Sequence, residues 1–196
     1  MSEPVRITVP GDVALLRELP VGTAVLLSGP AYTARDATHV RLVQDIEAGT
    51  PPLDLRDQVL FYAGPTPAAA GRPVGSVGPT TASRMDAWTP QLHAAGVAAT
   101  IGKGVRSASV HEACVTHRAV YLATVGGIAA LLATRVRSAE TVAYADLGAE
   151  ALVRMELDEF PVWVAIDATG ADFYQQARAE WMLEPPSSPG RGEEPR

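Results

Sequence analysis

Four short apolar runs, each closed by a glycine-bearing turn and followed by a helix-forming stretch, dominate the first two thirds of this chain. They are residues 23–27 (TAVLL, closed by Ser28-Gly29-Pro30), 58–63 (QVLFYA, closed by Gly64-Pro65-Thr66-Pro67), 97–101 (closed by Gly102-Lys103-Gly104) and 119–123 (followed by Val125-Gly126-Gly127). Bounded apolar runs of this length read as buried strands, and strand–helix alternation builds α/β folds. Residues 141–144, 151–157 and 162–166 then read as three strands with no helix between them. The expected fold is therefore α/β with a mixed sheet, not a strictly doubly wound one.

The intervening helices have readable starts. Asp12 caps a short helix carrying Val13, Leu15, Leu16 and Leu19. Asp36 opens a helix over 36–48 with Val40, Val43, Ile46 and Ala48 facing inward. Thr80-Thr81 are placed to cap a helix over 82–95, and Ser109-x-x-Glu112 has capping-box spacing for one through Thr116. Residues 127–134 and 172–182 complete the set, and the loop 68–79 has room for a short strand at 74–77. Residues 185–196 are rich in Pro, Gly, Ser and Glu and read as a disordered tail behind one domain, 1–184. No internal repeat is visible.

Composition narrows the function. With 47% AVILMFWYC in 196 residues, a sizeable core is feasible, and a net charge of −6 argues against a nucleic-acid footprint over the whole chain. No signal peptide is readable at MSEPVRITVPGD and no run of 18 uninterrupted apolar residues occurs, so a soluble cytoplasmic chain is expected. The one cysteine, Cys114, excludes an internal disulfide or an iron–sulfur cluster held by this chain's thiolates alone. His111-x-x-Cys114-x-x-His117 does not make a metal site on one helix, because the two histidines lie far apart around its axis. The chain also has a single lysine, Lys103, against fifteen arginines.

Cations and hydroxyls gather at the strand-ending turns. Arg35 sits at a helix start, where a cation opposes the dipole and suggests an anionic ligand or a pair with Asp36. The stretch 75–86 (GSVGPTTASRMD) places Thr80, Thr81 and Arg84 at another turn, without the order of a P-loop. Lys103 stands between two glycines that let backbone and ligand approach closely. Three cations and two hydroxyls at strand ends describe a site for a small, multiply charged anion such as a dicarboxylate.

Five ordered segments carry a family resemblance. They are VLLSGPAYTARDATHVRL (25–42), FYAGPTPAAAGRPVGSVGPTTASRMD (61–86), IGKGVRSASVHEAC (101–114), AVYLATVGGIAALLA (119–133) and AYADLGAEALVRMELDEFPVWVAIDATGADFY (143–174). Together they resemble the beta region of class I iron–sulfur fumarate hydratases and L(+)-tartrate dehydratases. The resemblance implies a swivelling β/β/α domain that closes over a dicarboxylate. It implies a separate alpha subunit whose three cysteines hold a [4Fe–4S] cluster that acts as Lewis acid, and a hetero-oligomeric hydro-lyase. By position, Arg35, Arg84 and Lys103 would bind carboxylates, Thr81 would donate a hydrogen bond, Thr80 would take the carbon-bound proton, and Asp36 would orient Arg35. The implied reaction is hydration of fumarate to L-malate, with L(+)-tartrate dehydration or a non-catalytic anion-binding module as alternatives.

Overall fold

The computed structural model describes residues 3–182, so the expected tail lies outside the described residues. The seven strands are β1 (Val5–Thr8), β2 (Ala24–Thr33), β3 (Val59–Phe61), β4 (Ala99–Gly102), β5 (Val120–Ala123), β6 (Val136–Ala143) and β7 (Leu152–Ile166). The helices are α1 (Val13–Leu16), α2 (Asp36–Glu47), α3 (Thr89–Ala94), α4 (Ala108–His117), α5 (Ala129–Ala133) and α6 (Phe173–Trp181). They build one mixed sheet in the order β1-β2-β3-β4-β5-β7-β6, with β2 also paired to β7. The run β2-β3-β4-β5-β7 thus returns on itself. Strands β2 to β5 are parallel, and β7 closes the ring antiparallel to both β5 and β2.

The period-2 alternation of a strand sorts its side chains into two cores. Val59, Phe61, Ile101, Leu122 and Val164 point to one face, where Phe61 meets Phe160 edge to face at 5.3 Å. Leu60, Tyr62, Tyr121 and Ile166 point to the other, under Leu42 of α2, Leu92 of α3 and Val110 and Cys114 of α4. Because β2 to β5 run parallel, their C-terminal ends share one edge of the ring, and the turns that follow Phe61, Gly102 and Ala123 lie there with the Arg35 turn that follows β2.

Several boundaries depart from the sequence expectations. β2 does not stop at Ser28-Gly29-Pro30. It continues through a bulge at Gly29, where φ is +101° and an added Cβ would lie 2.2 Å from the Val9 carbonyl oxygen. The expected strands at 151–157 and 162–166 are one strand, bent at Glu159 (φ +48°). β6 starts five residues before the expected strand at 141–144, and no strand forms at 74–77. The expected helix over 82–95 divides into a 3₁₀ turn, Ala82–Met85, and α3. Pro90, in the first turn of α3, lacks the N–H that an uninterrupted helix would use there. On α2 the buried residues are Thr38, His39, Leu42 and Val43, whereas Val40 and Ala48 are exposed, so the inward face is rotated from the expected one. The Asp12 carboxylate accepts from the Thr8 N–H (2.8 Å) and does not cap α1. Ser107, not Ser109, is the residue before α4. Asp172 does cap α6, accepting from the Tyr174 and Gln175 N–H groups.

Candidate active site

The six expected site residues arrive on three adjacent segments of one sheet edge. Arg35 and Asp36 follow β2 directly and open α2. Thr80 and Thr81 are threaded between β3 and β4: the Thr80 N–H donates to the Tyr62 carbonyl (2.6 Å), and its own carbonyl accepts from the Lys103 N–H (3.2 Å). The Ala82 N–H returns to the Lys103 carbonyl (2.9 Å), so Thr81 and Lys103 form a parallel bridge. This backbone lacing fixes Thr80 and Thr81 beside Lys103. Thr81 stands at the N-cap position of the 3₁₀ turn without a side-chain cap, and neither hydroxyl has a hydrogen-bond partner among the described residues. Gly102 permits the crossing, since a Cβ there would lie 2.9 Å from Ala82 Cβ and 3.0 Å from the Tyr62 ring.

The ion pairing differs from expectation. Asp36 does not orient Arg35. It receives Arg84, whose Nε and Nη2 reach its two oxygens at 3.1 and 2.5 Å. Such a fork leaves Nη1 of Arg84 for another acceptor. Arg35 instead pairs with Glu150 at 3.6 Å, and its Nε is buried without an acceptor among the described residues. Glu150 also accepts from the Ala37 N–H at the α2 start (2.9 Å), while its carbonyl accepts from the Thr38 hydroxyl. Lys103 is exposed and makes no ion pair among the described residues. Its ammonium lies over Gly126, where an added Cβ would sit 3.3 Å from both Nζ and Cδ. A cavity of about 370 Å³ lined by Thr66, Val74, Ala149 and Val153 adjoins Gly64, but Thr80, Arg84 and Lys103 do not line it. The two cations, Arg84 and Lys103, stand on an open edge.

Sequence reasoning missed Glu150 and a buried arginine, Arg106. Glu150 lies more than a hundred residues from Arg35, and no local pattern relates the two. Gly126 was visible as a glycine turn, but its service to Lys103 needed the β4–β5 register.

The residues do not fit an iron–sulfur cluster on this chain. The single thiol, Cys114, is buried in α4 and its pKa is pushed up to about 12 by burial. Among the described residues no group of three or more His, Cys, Asp or Glu side chains could hold a metal ion. His111 pairs with Asp172 (3.1 Å) instead of turning toward His117. No helix of the described residues is long and apolar enough to cross a membrane.

A mixed sheet whose parallel strands β2 to β5 carry Arg35 and Lys103 at their C-terminal ends defines an α/β domain with a cationic edge. Residues 3–177 match the family described as Fumarase C-terminus, and the chain belongs to that family. It is 41% identical over 167 residues to the anaerobic class I fumarate hydratase of Escherichia coli K12, covering 84% of this chain and 30% of that protein. It is 35% identical over 170 residues to the beta subunit of the L(+)-tartrate dehydratase of the same organism, covering 84% and 83%. A putative L(+)-tartrate dehydratase beta subunit of Methanocaldococcus jannaschii is 33% identical over 168 residues, covering 82% and 86%. The chain thus spans about a third of the fumarate hydratases it matches and most of the tartrate dehydratase beta subunits.

Proposed function

We propose that this chain is the beta subunit of a class I fumarate hydratase that hydrates fumarate reversibly to L-malate. In this reading it works with a separate alpha subunit that carries a [4Fe–4S] cluster, in a hetero-oligomer. What supports the proposal is that Arg35, Thr80, Arg84 and Lys103 lie on adjacent segments at the C-terminal ends of the parallel strands, in a chain of this family. Arg84 binds one substrate carboxylate through its remaining Nη1, and Lys103 and Arg35 supply the other cationic contacts. Thr81 donates a hydrogen bond. Removing a proton beside a carboxylate drives negative charge onto that carboxylate, and fixed cations stabilise it most where water is excluded. Thr80 takes the carbon-bound proton. A threonine hydroxyl does so only when another group accepts its own proton, which assigns that acceptor to the facing subunit.

L(+)-tartrate dehydration is the second reading. It is favoured by the near full-length match to tartrate dehydratase beta subunits, whereas the higher identity favours the fumarate reading. The test is to co-purify this chain anaerobically with a companion chain bearing three cluster cysteines, reconstitute the cluster and compare turnover of fumarate and L-tartrate. Fumarate turnover is expected. Turnover of L-tartrate alone would select the second reading, and an intact cluster with no turnover of either would refute both.

A further inference from the structure

Behind the open edge lies a cation with no access to substrate. The Arg106 side chain is fully buried between the Lys103 loop and α4. Its Nε donates to Asp86 Oδ1 (2.6 Å), and its Nη2 donates to Thr89 Oγ1 (2.7 Å). The second Asp86 oxygen accepts from the Ser107 N–H (2.7 Å). The guanidinium lies over the rings of Tyr62 and Tyr121, at 5.3 and 4.8 Å from their centroids. The Tyr121 hydroxyl donates in turn to the Gly104 carbonyl (2.9 Å).

Three of these contacts lead to segments that carry or hold a site residue. Asp86 closes the 3₁₀ turn that bears Arg84. The Tyr62 carbonyl holds Thr80, and Gly104 follows Lys103. Burying a charge costs several kcal/mol in desolvation, and well-packed apolar side chains often do as well for stability alone. What a guanidinium adds is a rigid fork that meets several acceptors at fixed angles.

We propose that Arg106 is a positioning residue that fixes the spacing of Arg84 and Thr80 from Lys103, and with it the length of dianion the edge accepts. The inference rests on reading that edge as a dicarboxylate site. A merely structural Arg106 would affect stability and leave the folded protein's response to dianions unchanged.

The lone lysine supplies the test. Reductive ¹³C-methylation of the full chain labels Lys103 and the N-terminus, so one side-chain signal reports the site. Wild type, Arg106→Met, Asp86→Asn and Tyr121→Phe are labelled and titrated with L-malate, with Arg56→Ala as a surface control remote from the site. Folding of each is checked by a cooperative thermal melt. Folded variants of Arg106 and Asp86 are expected to shift the ligand-free Lys103 signal and to need about ten-fold more malate. Tyr121→Phe deletes only the hydroxyl that ties Gly104, and is expected to move the Lys103 signal while melting as a folded protein. Should Arg106→Met not fold, Asp86→Asn and Tyr121→Phe decide the question. Folded variants whose Lys103 signal and malate midpoint match wild type would overturn the proposal. A wild type that responds to neither malate nor L-tartrate would count against the dicarboxylate reading, and Arg106 would then be judged on the ligand-free signal alone.

Discussion

Gly126→Ala separates the demands of the fold from those of the site. Gly126 is exposed and its φ lies outside the left-handed region, so alanine fits its backbone. The added Cβ meets one neighbour, the Lys103 side chain, at 3.3 Å from Nζ and Cδ. Relief comes from a new lysine rotamer, costing about 0.5–1.5 kcal/mol, while alanine restricts the unfolded chain and returns about 0.4–1 kcal/mol. Stability should therefore stay within about 1 kcal/mol of wild type. The ammonium, however, must retreat. Withdrawal of a unit charge from about 3 Å to about 3.5–4 Å from a carboxylate, at an effective dielectric of about 20, loses roughly 0.8–1.4 kcal/mol, or about four- to ten-fold in binding. The assay pairs a urea melt of the chain with kcat/KM for fumarate in the reconstituted complex. A double-mutant cycle completes it: in a Lys103→Ala background the Gly126→Ala change should cost nothing further. Unaltered kcat/KM in the single variant, or an undiminished loss in the Lys103→Ala background, would refute the assignment of Lys103 to the substrate.

Three further outcomes follow from the same structure. Arg84→Ala and Lys103→Ala should each lower kcat/KM by about two orders of magnitude or more, roughly 3 kcal/mol, which steady-state kinetics on fumarate will measure. Gly29→Ala forces a Cβ to within 2.2 Å of the Val9 carbonyl at a φ of +101°, and should cost about 2–4 kcal/mol in a urea melt at unchanged substrate specificity. Burial lowers the pKa of His39 and His93 to about 4, so the folded protein keeps both neutral. The unfolded chain protonates them near pH 6.5, so their contribution is present above that pH and is lost as pH falls toward 4, up to about 3 kcal/mol each. Urea midpoints at pH 7 and 4.5 will show this, and His93→Gln should flatten the dependence.

The sheet was legible because its signals are local. Runs such as TAVLL and QVLFYA carry their own burial, and the turns after them carry their own glycines. The misplaced boundaries trace to contacts between distant segments. Val9 packs against Gly29 and turns an apparent stop into a bulge, and β7 stays one strand because β2 pairs along nearly its whole length. The site divides the same way. Arg35, Thr80, Thr81, Arg84 and Lys103 were singled out from the turns they occupy, and the structure sets those turns on one sheet edge, whereas their pairings were not legible. Adjacency suggested Asp36 for Arg35, but the start of α2 turns Asp36 toward the 3₁₀ turn and hands Arg35 to Glu150.

Those pairings bear on the charge balance of the proposed site in an acidic chain. Two of the three cations already hold carboxylates, which aim their guanidiniums and meet part of the ordering cost before substrate arrives. They also cancel charge: Arg35, Arg84 and Lys103 against Glu150 and Asp36 leave one positive unit, supplied by Lys103. A dicarboxylate brings two negative units, so the edge alone falls one cation short. In the two-chain reading the facing subunit must supply that charge and exclude the water that now reaches Lys103. The isolated chain should therefore bind malate weakly and with a steep loss on added salt, whereas the assembled complex should bind it tightly and with little salt dependence. Equal affinity in the two would show that this half-site is electrostatically complete by itself.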